Sequence, residues 1–422
     1  MSPDAALGYV DAWIEERLEF YDPFSWGSPE ERDIRRKAFG ELSTYLCFKS
    51  WCGLAAPEKL DEFVIGIVNS AAYLGLACRR PGEFLLFAPA MCYPAQTGRL
   101  SDAALGAIRQ MAAEPAVKAA ERFPHRYLDY IFCHRAIFKG SPYDAALMRG
   151  IYDLSILSHR LVAASMTTQD AYALTHAVIY ATNFGSDLRV FHERPELLPN
   201  VEDLDAVTCR YIFEENMDVA LEFAACRMIA SDTNSPTLAM CVDKAIDLLA
   251  TMGHVPPQPK PQTEKDDNFT AAFRDWSEVY HTTMVLGFTL AIGLSQKRQF
   301  PGMPMDAEQL LRYGGLLSAA SNADVFQSCV LAAELCATGM QKLPGAQFQV
   351  SAVERMLRRH IRLVQGDGDP GLLVDALRLG DLSGTSGTRE GMESVNRLVR
   401  LVLPELDRFL TTGAPNNSAA QA

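Results

Sequence analysis

At 422 residues the chain is long enough for one large core or for two to three ordinary domains. A composition of 48% hydrophobic and 22% charged residues excludes wholesale disorder. The 39 basic and 52 acidic side chains leave a net charge of −13, which argues against a nucleic-acid-binding surface.

The opening MSPDAALGYVDAWIEERLEF carries acids where a secretory leader would carry positive charge. Ser28-Pro29-Glu30-Glu31 is a capping box with Pro at the first helical position, so a helix is expected from there towards Trp51. Pro57 opens a segment ending near Arg80, within which the uncharged stretch Phe63 to Cys78 is too short for a membrane span and reads as a buried helix. Ser141-Pro142 is expected to start another helix, and Thr167-Thr168-Gln169-Asp170 a further one that Gly185 would terminate. Helices are also expected at 202–230, 236–252, 269–296, 306–319, 322–340, 348–363 and 387–411.

No β-branched alternating run interrupts this pattern, so the fold class is all-α. Short gaps suggest antiparallel helical hairpins, closed into an α/α toroid or left as an open helical stack. The segment PPQPKPQTEKDD, residues 256–267, cannot hold a helix and reads as a loop or linker. It would divide an N-terminal region, 1–255, from a C-terminal one, 268–411, followed by a disordered tail at 412–422. The ten cysteines lack paired zinc spacing: Cys47 and Cys52 stand alone, as do Cys329 and Cys336. They read as small buried hydrophobes of a reduced compartment, which makes a cytoplasmic setting the expectation.

Two segments set polar side chains into stretches that otherwise want burial. In DAYALTHAVIYATNFG, Tyr172, His176, Tyr180 and Asn183 follow at steps of four, four and three, which places them on one helix face. Such a row either faces a cavity or forms a satisfied structural network. In DWSEVYHTTMVLGF, Trp276, Glu278, Tyr280, His281, Thr282 and Thr283 gather just before an apolar run. Histidine exchanges protons near neutral pH and tyrosine donates to developing oxyanions, so His176, His281, Tyr180 and Tyr280 are the candidate catalytic groups. Tyr172, Asn183, Trp276, Thr282 and Thr283 are the candidate substrate contacts.

Other constellations carry weaker signals. Glu214, Asp218 and Glu222 form an i, i+4, i+8 row, read as an exposed amphipathic face or as acids converging with the histidines. Glu278 and His281 make a single E-x-x-H pair, so a divalent metal held through Glu278, His281, Glu214 and Asp218 is the alternative to a cofactor-free site. Tyr152, Ser155 and His159 share a face but lack a nucleophile elbow. His125 with Asp129, Tyr130 with His134, and the basic run at 355–360 read as clamps and caps. Nucleotide-binding glycine motifs and H-E-x-x-H are absent from the sequence.

The two histidine motifs together resemble a pattern in a group of bacterial, mainly actinomycete, all-helical proteins, some encoded beside natural-product biosynthesis genes. In that group the first motif reads Thr-His, an aromatic, then Thr-Asp-Phe-Gly. Thr175, His176, Tyr180, Thr182, Phe184 and Gly185 match it, while Asn183 replaces the acid. Tyr280, His281, Thr282 and Thr283 match the second, Tyr-His-Thr-Thr. The resemblance implies a place in natural-product biosynthesis and carries no reaction with it.

The expected function is therefore acid–base catalysis (an isomerase, cyclase, lyase or hydrolase) on a small, fairly apolar molecule, with both histidines lining one cavity. The alternative is a non-catalytic helical protein that binds a peptide, a carrier protein or an apolar ligand.

Overall fold

A computed structural model describes residues 1–25, 27–118, 120–159, 166–257, 269–298 and 307–322, and every regular element among them is helical. The protein is all-α. Most of the loop expected at 256–267, the helices expected at 322–340, 348–363 and 387–411, Cys329 and Cys336, the basic run at 355–360 and the tail at 412–422 lie outside the described residues.

The longer helices begin with α1 (Pro3–Glu15), α2 (Pro29–Trp51), α3 (Glu58–Val68), α4 (Ala71–Arg79), α5 (Phe84–Gln96), α6 (Asp102–Ala113) and α7 (Pro124–Phe138). They continue with α8 (Ala145–Leu154), α9 (Thr168–Ala181), α10 (Val201–Phe213), α11 (Met217–Ala230), α12 (Pro236–Met252), α13 (Ala271–Ser295) and α14 (Ala307–Asn322).

Side-chain caps fix where many of them start. Ser28 accepts from the Glu31 amide at 3.1 Å, and the Glu31 carboxylate in turn accepts from the Gly27 amide at 2.8 Å. Each such cap is worth about 1 kcal/mol. Caps also correct three sequence expectations. The segment from Pro57 to Arg80 is two helices, because Ser70 caps α4 and breaks the run after Asn69. α8 starts at its cap Asp144 rather than at Ser141-Pro142, and the Ser141 hydroxyl donates to the Tyr143 carbonyl instead. The expected helix at 202–230 is α10 and α11, separated where Glu215 turns left-handed (φ 56°) and Asn216 caps the second.

No single described helix is long and apolar enough to cross a membrane. α3 and α4 would reach that length and composition only together, and they meet at a bend of 52°.

The described residues fall into two compact units. The first is drawn from Met1–Arg160, Thr168–Pro199 and Glu215–Met303, and the second includes Asn200–Glu214 and α14. Within the first unit α11 and α13 pack against each other across the segment 256–267. In the second unit α10 and α14 meet closely. A Cβ at Gly314 would collide with the Cys209 carbonyl oxygen, so only glycine fits.

Within the first unit six helices pack pairwise in a closed circuit: α2 on α5, α5 on α7, α7 on α9, α9 on α11, α11 on α13, and α13 back on α2. Phe48, Phe132, Phe184 and Phe288 of this unit pack ring on ring at centroid distances of 5.1–5.5 Å, with Phe184 stacked on Phe288 and the other pairs tilted or edge-on.

Candidate functional site

The site is built around α11, a helix apolar on all sides: Val219, Ala220, Leu221, Phe223, Ala224 and Cys226 are all buried. A helix of that kind sits in a core, and it carries its two carboxylates inside with it. The Asp218 side chain is 9% exposed and that of Glu222 5%. The exposed-face reading of this acidic row is therefore overturned.

Buried carboxylates require donors. Asp218 takes them from α9 and α13: the Tyr172 hydroxyl donates to Oδ2 at 2.7 Å and the Thr282 hydroxyl to Oδ1 at 3.0 Å. Glu222, one turn on, accepts from the Thr175 hydroxyl at Oε2. Its Oε1 receives no hydrogen bond from the described residues and faces two imidazoles.

One of these is His281 of α13, which stands among three carboxylates. Its Nε2 lies 3.6 Å from Asp218 Oδ1 and 3.7 Å from Glu222 Oε1, while its Nδ1 lies 3.5 Å from Glu41 Oε2. Glu41, on α2, accepts from the Tyr280 hydroxyl at 2.9 Å and pairs with Lys37 at 3.6 Å. Burial opposes charge on His281, but the charges of Asp218 and Glu41 outweigh it and hold the imidazolium well above its ordinary 6.5. Burial likewise opposes charge on Glu41, and the charges of His281 and Lys37 bring its carboxyl down to about 2. For Glu222 burial is again outweighed, by His281 and His176, and the group titrates below its usual range. The Tyr280 hydroxyl is pushed well up by burial and the Glu41 charge.

The other imidazole is His176 of α9, whose Nε2 lies 4.0 Å from Glu222 Oε1. At 3.7 and 4.0 Å from one oxygen, the two histidine nitrogens are within 7.7 Å of each other. The surroundings of His176 are otherwise aromatic, with Tyr172, Tyr180 and His125 at ring distances of 6.1, 5.7 and 6.2 Å. His176 Nδ1 is buried without a hydrogen-bond partner among the described residues. Burial and the neighbouring His176 and Arg126 lower His125 to about 4. The buried Asp129 carboxyl is raised despite its pairing with Arg126 at 3.2 Å.

The structure thus brings together His176, His281, Tyr172, Tyr280 and Thr282, with Tyr180 alongside. Other expected members fall elsewhere. Asn183 lies past the end of α9 at φ 45°, off the helical face expected for it. Thr283 accepts the Val255 amide at 3.1 Å, which anchors backbone. Trp276 stacks on Tyr280 at 4.6 Å and is buried among Phe20, Tyr21 and Phe273, a packing role. Glu278 is exposed and is not among the groups placed to share an ion, while Glu214 belongs to the second unit and pairs with Arg210 at 2.8 Å. Both therefore leave the expected metal set. Ser155 ends α8 and donates to the Tyr152 carbonyl at 2.8 Å, which is a cap rather than a nucleophile. His134 bonds the Gly140 carbonyl through Nδ1 at 2.8 Å.

Sequence reasoning missed Glu41 and the placement of Glu222. The signal for Glu222 was its apolar neighbours on every side; for Glu41 it was a lone acid in a run buried from Ala38 to Lys49 around it. The result is a site of three carboxylates and two imidazoles, with the side chain of His281 30% exposed and those of His176 and Glu41 each 25%. Asp218, Glu222 and His281 each present one donor atom within 4.8 Å of the others, a set that could hold a metal ion.

A family model described as a domain of unknown function, DUF6895, matches residues 10–291, a span containing all five of these charged and imidazole groups. No curated protein and no solved structure matches the chain.

Proposed function

The chain belongs to the DUF6895 family, and from that premise we propose that it is a small-molecule enzyme working by acid–base catalysis, as an isomerase, cyclase, lyase or hydrolase. The single observation that supports this is the pair of imidazole nitrogens, from α9 and α13, facing the same Glu222 oxygen. Two proton carriers this close, both partly open to solvent, can serve one substrate.

Their roles divide by environment. His281 is fixed between Asp218, Glu222 and Glu41 and supplies a positioned positive charge. His176 meets one carboxylate and three rings, so it is the group that gives or takes the proton. Tyr172, Tyr180 and His125 around it suit a fairly apolar molecule bearing one polar group. From the sequence resemblance we further propose a bacterial setting in natural-product biosynthesis, and from the cysteine usage a cytoplasmic one.

The test is untargeted mass spectrometry of an actinomycete metabolite extract incubated with the full chain. A feature consumed by the wild type should be consumed on the order of 10²-fold more slowly, or beyond, by His176→Asn and by His281→Asn, the usual contribution of a positioned acid or base. Consumption unchanged in the double variant removes the proposal. Saturable retention of a compound or carrier protein without conversion makes the chain a binding protein instead.

A further inference from the structure

We infer that Asp218, Glu222 and His281 form a binding site for one first-row divalent cation, with Asp218 Oδ1, Glu222 Oε1 and His281 Nε2 as its donors. The inference rests on the reading of this cluster as the reactive site and deepens it by naming an inorganic partner.

Distance comes first. His281 Nε2 lies 3.6 Å from Asp218 Oδ1 and 3.7 Å from Glu222 Oε1, and all three donors lie within 4.8 Å of one another. These separations are too long for hydrogen bonds. Two donors each about 2.1 Å from a common ion stand roughly 3.0–4.2 Å apart, depending on the angle between them. Spacings of 3.6 and 3.7 Å therefore suit two bonds to one centre.

The second observation is independent of the spacing. Glu222 is a carboxylate with a 5% exposed side chain, yet its Oε1 takes no hydrogen bond from the described residues and points at the other donors. Its Oε2 is satisfied by Thr175. Its nearest donors, the His281 and His176 imidazoles at 3.7 and 4.0 Å, stand beyond hydrogen-bond reach, and an ion between Glu222 and His281 would bond both.

The outer groups are arranged as metal sites arrange them. His281 turns Nδ1 towards Glu41 at 3.5 Å, where it makes no hydrogen bond among the described residues, and Glu41 is held by Tyr280 and Lys37, so a small shift of the ring would give the carboxylate–imidazole pair that orients a metal-bound histidine. Asp218 is oriented by Tyr172 through Oδ2 and by Thr282 through Oδ1. One imidazole with two carboxylates favours zinc, manganese or iron over magnesium or calcium, which prefer oxygen alone. A bound ion takes the place of the Nε2 proton of His281 and supplies the positive charge there, while His176, whose Nε2 is 4.0 Å from the same Glu222 oxygen, stands beside the ion and keeps its proton-transfer role.

The experiment is calorimetric titration of the chelator-treated full chain with manganese and zinc chlorides at neutral pH. The expected result is one site per chain, weakened more than tenfold by His281→Ala and by Glu222→Gln, and about tenfold by Glu41→Gln, which removes the outer carboxylate. Circular dichroism on each variant separates loss of binding from loss of fold, and the nearly isosteric Glu222→Gln serves if His281→Ala does not fold. Zinc binding that disappears in Cys78→Ser, whose thiol is exposed, identifies an adventitious surface site and overturns the inference. Affinity unchanged by both His281→Ala and Glu222→Gln, or no binding of either ion, overturns it as well. Failure here with histidine-dependent substrate consumption intact leaves the acid–base reading standing; failure of both removes the site altogether.

Discussion

His176 and His281 are similar in sequence, each set in a helix just before an apolar stretch, yet their surroundings differ sharply. His281 stands among three carboxylates, and its helix α13 runs unbroken for fourteen further residues to Ser295. His176 meets a single carboxylate and three rings, and α9 ends five residues later in a turn with Asn183, Phe184 and Gly185 all left-handed, at φ 45°, 57° and 83°. The difference teaches that a histidine's neighbours, more than its own segment, decide whether it is a fixed charge or a proton carrier.

The largest expected effect separates the two directly. In chelator-treated protein, His281→Ala leaves Asp218, Glu222 and Glu41 without their shared counter-charge. We expect a loss of about 2 kcal/mol, below the range for fully buried pairs because the ring is partly exposed. His176→Ala removes a ring with one distant carboxylate and should cost about 1 kcal/mol or less. Urea unfolding of the two variants measures both values, and equal losses would abolish the distinction drawn between them.

The same comparison predicts a pH window for the metal-free chain. The folded His281 titrates above its ordinary 6.5, so its contribution is full below pH 6.5 and is lost as pH rises through the folded value. Glu41 titrates near 2 against an ordinary 4.5, so its contribution is full above pH 4.5 and is lost as pH falls towards 2. Together they stabilise most between pH 4.5 and 6.5. Thermal unfolding across pH should show the alkaline decline of this contribution in wild type and its absence in His281→Ala; an identical decline in both assigns it to other groups.

Next in size are the groups that hold Glu41. Glu41→Gln should lower the titration of the His281 ring, followed by imidazole NMR. Tyr280→Phe, which removes one hydrogen bond to that carboxylate, should cost about 1 kcal/mol. A His281 titration unchanged by Glu41→Gln would mean that Glu41 does not help to hold the charge on that ring.

Much of this was legible in local chemistry. Ser28 and Pro29 announce the start of α2, and the rows at Tyr172 and Tyr280 stand out as polar groups in apolar helices. The break at 214–216 was not legible, because hydrophobic spacing runs through it and only the left-handed Glu215 and the Asn216 cap mark it. Glu41 was hidden for another reason. With Lys37 four residues before it, it reads as an ordinary surface ion pair, and its partners Tyr280 and His281 lie more than two hundred residues away in sequence. Helical periodicity identifies a buried face, but which distant face it meets is decided by packing.

The smallest effect tests the turn that closes α9. Non-glycine residues at positive φ cost roughly 1 kcal/mol each, less for asparagine. Phe184 offsets that cost by burying its ring against Phe48, Phe132 and Phe288, and Gly185 has no room for a Cβ, which would lie 2.9 Å from Ile229 Cγ1. Asn183 has no such offset, since its Oδ1 is buried without a hydrogen bond among the described residues. Asn183→Gly relieves both the dihedral and the unpaired oxygen, against the entropy a glycine adds to the unfolded chain. The net expectation is a gain of about 0.5 kcal/mol in urea unfolding, with His176 still 4.0 Å from Glu222. A loss of 1 kcal/mol or more would mean that the asparagine side chain holds the turn, and that the end of α9 positions His176 as firmly as the carboxylates position His281.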